Sequence, residues 1–437
     1  MVIYTLPLVA LVLLSTAYAA DVAIKPGMAA GQTPAGSGNN EPEVPASGPG
    51  TRTGSLSPAE ARYAIERYQQ QIHATEIAHG AYDNQISEEL LGLGLARRDL
   101  GQDAEAVKAF DRALYITRIN QGLSNPNQLP ILELIIESNT ALSDWKALDQ
   151  NYHYLYWVYR RAYGDDDPRL LPVIDRVGLW HLNAYQMGVD DRPFQHLASA
   201  DNLYSHAIEI IEQNYGPTDP RLIDPLYGGV LTNYQIAVYA SSADKFEGIR
   251  FTTASSSRAQ RLQEEQQARQ EAIHDSYIKG KKAMNRILDV FEHNPQLPPD
   301  SHALARVHLG DWYLLFNKRN SAMRNYGKAF TLLDGSGIDR DKINRLFSRP
   351  RSLPAYNLPL PYKSKSDKDK SYVLASLVVT KSGQPRNIHI IEAKPANSTS
   401  LRRRAKKTIR ATRFRPRFEN GQPVATEDFN IRYIFEE

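Results

Sequence analysis

From residue 58 to 335 the apolar positions recur every three or four residues, the spacing that gathers them on one face of a helix. "SPAE" opens the series: Ser57 as N-cap, Pro58 in the first turn, Glu60 closing a capping box. The last residues change period. "YVLASLVV", 372–379, is apolar and β-branched and fits a strand buried largely on both faces. "TKSGQP" supplies a turn with Gly383 available for positive φ, and "NIHIIEA" alternates, with Ile388 and Ile390 on one face. "STSLRRRAKKTIRAT", 398–412, fits a helix capped by Ser398 or Thr399, with Leu401, Ala405 and Ile409 as its apolar stripe. Pro416 stops it, Asn420-Gly421 makes a loop, and "DFNIRYIFE" alternates Phe429, Ile431, Tyr433 and Phe435. The pattern predicts a mainly α chain ending in a small α+β domain of order β-β-α-β.

The helical region repeats. "GAYDNQI" from Gly80, "GLSNPNQL" from Gly122, "GDDDPRLL" from Gly164 and "GPTDPRLI" from Gly216 are spaced by 42, 42 and 52 residues. Each offers a glycine to end one helix and a polar or proline turn to start the next. Ala106, Phe110 and Ala113 precede Gly122 by the offsets at which Ala200, Tyr204 and Ala207 precede Gly216; Leu148, Tyr152 and Leu155 fill those places in the middle unit. Gly94 to Ala106 is 12 residues, but Gly178 to Ala200 is 22, so the third unit carries ten extra residues near "VDDRPFQHL". A last unit has Leu309-Gly310, Tyr313, Ala322, Tyr326 and Ala329, a spacing that resembles the tetratricopeptide repeat, with Asp334 where that motif closes on proline. The resemblance implies about five helix pairs stacked as an α-solenoid, with aromatics filling gaps between neighbouring pairs. The charged run "SSSRAQRLQEEQQARQEAIHDSYIKGKK" is expected to extend a helix outward or add a solvated one.

The C-terminal segment resembles the C-terminal domain of the TonB energy-transducer family. The likeness rests on Gly383, Ile388, Ile390, Ala393, Leu401, Ala405, Ile409, Arg413-Phe414-x-Pro416, Asn420-Gly421-x-Pro423-Val424 and the closing apolar strand, with Pro361-Tyr362 as a lead-in. That family works in the periplasm and grips an extended segment of an outer-membrane transporter as an added strand. The resemblance implies a partner edge on the final strand, at Phe429, Asn430, Ile431, Arg432 and Tyr433. There the backbone rim and the outward Asn430 and Arg432 make contact, while Phe429 and Ile431 serve the core.

At 437 residues the chain exceeds one compact domain. The expected order is a signal peptide (1–19), a Gly/Pro/Ala/Ser-rich disordered linker (20–56), the helical repeats (57–335), an extended Pro-rich linker (336–371) and the TonB-like domain (372–437). The start, "MVIYTLPLVALVLLSTAYAAD", has the apolar run and small-x-small site of a secretory signal, without a basic lead. Left uncleaved it would just span a bilayer. It has no histidine of the kind that couples a transducer's anchor to a proton-driven motor, and the solenoid stands where the family has a proline-rich spacer. With no cysteine, disulfides, thiolate metal sites and a lipoprotein anchor are excluded.

Charge is uneven. Residues 350–437 hold 18 Lys/Arg against 8 Asp/Glu, and residues 1–349 hold 34 against 41. Arg402, Lys406, Arg410 and Arg413 are placed on one helical face, either a solvated surface or a contact to an anionic protein, lipid headgroup or cell-wall polymer. Nucleic acid is disfavoured for a secreted chain without interleaved aromatics, and nothing suggests a small-molecule substrate. No catalytic constellation, cofactor loop or metal-ligand spacing stands out. The eleven histidines are scattered, Ser276 and Lys279 lack accompanying motifs, and Asp165-Asp166-Asp167 fits a helix-capping turn. The reading is a non-enzymatic periplasmic adaptor. The alternatives are a membrane-anchored transducer and a structural envelope protein that binds wall or lipid.

Overall fold

The structure is a computed structural model that describes residues 56–241, 258–335, 340–354 and 371–435. The expected signal peptide, nearly all of the first linker and the Pro361-Tyr362 lead-in lie outside these residues. No helix among the described residues is long and apolar enough to cross a membrane. The chain is mainly helical, and the described parts fall into two compact units, residues 56–217 and residues 218–435.

The first unit opens with α1 (Pro58–His79), and the expected capping box is in place: Glu60 N–H donates to Ser57 Oγ and Ser57 N–H to Glu60 Oε2. Three helical hairpins follow: α2 (Asn84–Asp99) with α3 (Asp103–Gln121), α4 (Leu129–Leu142) with α5 (Trp145–Tyr163), and α6 (Leu171–Met187) with α7 (Pro193–Tyr215). Gly80, Gly122 and Gly164 each end a helix at φ +91 to +95°. Three residues later Asp83, Asn125 and Asp167 accept the N–H of the residue two further on at 2.8 Å, which starts the next turn. The repeated "G-x-x-D/N" is thus a recurring corner.

The small residues make the hairpins close. A Cβ on Gly94 would lie 2.2 Å from the Phe110 ring, and one on Gly178 2.8 Å from Tyr204. The aromatic therefore seats on the glycine of its own hairpin rather than between neighbouring pairs, because only a bare backbone leaves room for a ring at that crossing. The middle hairpin has Ile136 at the position matching Gly94. Its Tyr152 stays partly buried and stacks on Trp180 of the next hairpin, centroids 5.5 Å apart.

The second unit holds two more hairpins, α8 (Ile223–Ser241) with α9 (Arg258–His293) and α10 (Pro299–Leu315) with α11 (Arg319–Gly335). From Arg258 on, the charged run lies inside the 36-residue α9, whose residues 263–275 are mostly exposed, so it extends that helix outward. Gly310 receives Tyr326 of its own hairpin as the earlier glycines receive their aromatics, whereas Gly280 receives Trp312 from the neighbouring hairpin. The segment expected to be an extended linker is partly structured. Helix α12 (Arg340–Phe347) buries Ile343, Leu346 and Phe347 against the last hairpin, and β1 (Arg351–Leu353) pairs antiparallel with β4 (Arg413–Arg415). Burial of those three apolar side chains outweighs the extended bias of the prolines around them.

The C-terminal domain has a three-stranded antiparallel sheet of order β3-β2-β7, from β2 (Ser371–Val379), β3 (Pro385–Lys394) and β7 (Thr426–Phe435), with α13 (Thr399–Ala411) on one face. Val373, Ala375, Leu377 and Val379 meet Leu401, Ala405 and Ile409 of α13 in a single core. Strand β2 is not buried on both faces as expected: its residues alternate buried and intermediate, because the helix layer covers one face only. Beyond the β-β-α-β order, β5 (Arg417–Glu419) and β6 (Gln422–Val424) form a hairpin through Asn420 and Gly421, both at positive φ, as a two-residue turn requires.

Candidate functional site

The two outer strands of the sheet differ. β3 begins at Pro385 and carries irregularities opposite Leu374/Ala375 and Ser376/Val378, with Asn387 at φ +48°. Proline and bulges are devices that blunt an edge against pairing. β7 has one irregularity, at Glu427-Asp428 opposite Val378, and then runs in regular register from Phe429↔Leu377 to Phe435↔Ser371. Among the described residues no strand pairs with its outer side. The longest regular rim of main-chain donors and acceptors in this sheet is therefore that of residues 429–435.

Side chains divide along β7 by the strand's period of two. Phe429, Ile431 and Tyr433 face α13 and pack on the domain core. Tyr433 is almost wholly buried, and its hydroxyl lies 3.1 Å from that of Thr412. Of the five β7 residues named from sequence, only Asn430 and Arg432 are exposed. Arg432 lies over the Tyr372 ring, 3.9 Å from its centroid, on the sheet face that α13 leaves uncovered.

The basic helix is only partly as expected. Arg410 is exposed on α13 and Lys406 half-buried, Arg402 donates to the Ala396 carbonyl at 3.1 Å, and Arg404 covers the Phe435 ring. Arg413 does not share that face. It lies past the helix end, in β4, and its Nε donates to Asn317 Oδ1 of the last hairpin at 3.0 Å.

β4 and β5 form a clamp on that hairpin. Arg415, 1% exposed, donates from Nη2 and Nε to the Asp311 carboxylate of α10 at 2.6 and 3.0 Å, and from Nη1 to the Leu346 carbonyl. Tyr326 O–H donates to the same carboxylate at 2.7 Å. Burial disfavours the Arg415 cation, and the Asp311 carboxylate more than offsets it, so the guanidinium is held even more firmly charged than usual. Phe418 fits between Tyr326 and Phe347. A Cβ on Gly383 would lie 2.1 Å from the Phe414 carbonyl oxygen and 3.0 Å from Leu314, so the β2–β3 turn rests on both β4 and α10.

The first unit holds a polar group built on two buried histidines. Asp149, His181 and His196, each from a different helix of the first unit, bring ligand atoms within 4.8 Å of one another. Sequence spacing showed only scattered histidines, because these three meet through tertiary packing.

Residues 356–435 match the family model of the Gram-negative bacterial TonB protein C-terminal. The end of this chain is a TonB C-terminal domain. Domains of this family mediate interactions with outer-membrane proteins, which places the TonB C-terminal domain in the context of the Gram-negative envelope. The curated proteins contain no match to the chain. Among solved structures, BtubC (BKLC) from P. vanneervenii is 12% identical, covers 71% of this chain and 95% of its own, and gives a TM-score of 0.37.

Proposed function

We propose that the protein is a non-enzymatic periplasmic adaptor. Its TonB C-terminal domain takes up an extended segment of an outer-membrane protein as a fourth strand along β7, and its helical hairpins hold a second protein. The observation that carries this reading is the regular outer rim of residues 429–435, in contrast to the opposite edge of the sheet, β3, which is broken by proline and two irregularities. Main-chain pairing supplies affinity, and the exposed Asn430 and Arg432 beside the incoming strand supply selectivity. Arg402, Lys406 and Arg410 add attraction for an acidic partner and raise its rate of approach. A photo-crosslinking residue placed in living Gram-negative cells at position 430 or 432, and at 389 on β3 as control, tests the reading. Adducts with an outer-membrane protein from 430 and 432 but not from 389 are expected. Equal labelling at all three positions, or none at 430 and 432, refutes strand addition at β7.

A further inference from the structure

The ten extra residues of the third unit fall around the corner between α6 and α7, and they include Asp190 and lead into His196. His196 Nδ1 lies 3.0 Å from Nδ1 of His181 on α6. The two imidazoles are 5% and 2% exposed. Asp149 reaches them from α5 of the preceding hairpin. A tetrahedral metal with bonds of about 2.0–2.1 Å to nitrogen has ligand–ligand edges of about 3.3 Å, so the two nitrogens are already nearly one such edge apart.

The surroundings suit ligation. Trp180 Nε1 donates to Asp149 Oδ1 at 2.8 Å, which fixes the carboxylate and leaves Oδ2. His153, more than half exposed, has its Nε2 3.7 Å from that Oδ2 and stands at the open side of the group. On the far side of His196, Nε2 faces Asp190 Oδ1 at 3.4 Å, and Arg192 holds Asp190 by main chain and guanidinium. A carboxylate behind a ligating imidazole orients the ring and strengthens its lone pair toward a metal. A hydrogen bond between the two rings satisfies one nitrogen of each. It does not explain why carboxylates from two further elements close on the same rings.

We propose that Asp149, His181 and His196 form a binding site for a divalent transition metal, zinc foremost, with His153 or water as fourth ligand. Two imidazoles and a carboxylate favour zinc, copper or nickel over magnesium or calcium. Bound metal would tie the second hairpin to the third and stiffen that part of the helical array.

Titration of the tag-free full-length protein with zinc, read by calorimetry and thermal unfolding, tests the site, with cobalt(II) as an absorbing substitute. One zinc per chain, the visible bands of tetrahedral cobalt and a higher melting temperature are expected. Asp149→Asn preserves shape and the acceptor for Trp180, and His196→Gln preserves much of the volume; each lowers affinity at least about 10- to 100-fold. His389→Gln, at an exposed histidine of β3, leaves it unchanged. The absence of saturation at one equivalent overturns the proposal, as does unaltered affinity in D149N with wild-type circular dichroism. If H196Q fails to fold, the partly exposed position 149 decides the test alone.

Discussion

Arg415→Met probes the join between the TonB C-terminal domain and the last hairpin. Opposite charges about 4 Å apart attract by about 4 kcal/mol at an effective dielectric of about 20. Desolvation costs several kcal/mol per ion, so the intact Asp311–Arg415 pair contributes little net stability. Removing one member is different. Methionine fills much of the arginine's volume but strands the Asp311 carboxylate, 0% exposed, with Tyr326 as its remaining side-chain donor. A stranded buried charge costs about 3–5 kcal/mol, which is roughly two to three and a half decades in an opening equilibrium. The two-unit chain will not unfold in one step, so a local assay is needed. Hydrogen exchange by mass spectrometry on the full chain suits it. Peptides covering 351–353 and 413–419 should exchange faster by that factor, while α2 and α3 stay unchanged. The triple variant Asp311→Leu/Tyr326→Phe/Arg415→Met removes charge and orphaned hydroxyl together and should recover most of the protection. Exchange within a few-fold of wild type in R415M, or a triple variant no better than the single, refutes this account of the clamp.

Other expectations follow from particular contacts. Gly94→Ala and Gly310→Ala place a Cβ 2.2 and 2.4 Å from an aromatic ring and should each cost about 1–3 kcal/mol in denaturant titrations, with Phe110→Leu relieving the first. Gly383→Ala meets backbone rather than a flexible side chain at φ +77°, so it should loosen the β2–β3 turn more than either, as increased proteolysis near 380–384. His308, bonded to Tyr227 and facing Asp311, Arg415 and Arg351, has its pKa lowered to about 4, first by burial. The unfolded histidine binds its proton near pH 6.5, so the second unit should lose stability as pH falls from about 6.5 toward 4, by on the order of 2–3 kcal/mol. His308→Gln should flatten that part of the stability profile, and an unchanged slope would show that another group sets it.

The repeat was legible because its chemistry is local. A glycine, an Asx residue three positions later and an aromatic at a fixed offset each report on one corner or one crossing, and these features stand within about 42 residues of one another. A recurring asparagine is equally local. Asn120 and Asn214, each two residues before a corner glycine, donate to the carbonyls of Tyr82 and Asp166 in the preceding corner. The α13 stripe and the alternation of β7 were also plain. Regular outer edge against bulged outer edge was not, because a bulge is an extra residue in one strand relative to its partner and appears only once register is known. The Asp149–His181–His196 group was hidden for the same reason: no fixed spacing links residues drawn from three helices.

The basic run 402–417 shows what charge alone does not reveal. Nine cations and no acid suggest one exposed face, and within 399–411 that holds, since the helical period keeps the apolar stripe inward. From 413 the backbone is extended, and alternation would send Phe414 inward and Arg415 out. Both are buried, because β4 is covered on two sides: the domain core takes Phe414 and the last hairpin takes Arg415. The signal for this lay a hundred residues upstream, in "HLGDWYLL", where Asp311 stands among Leu309, Trp312 and Leu314 at buried helical positions. A carboxylate there needs a cation and several donors, and a cation must come from a segment that reaches inside. Only a side chain on an otherwise apolar strand does so, and "RFRPRF" is the basic run's one extended, aromatic-rich stretch. Read together, the buried acid and the basic strand point to each other before any coordinate does.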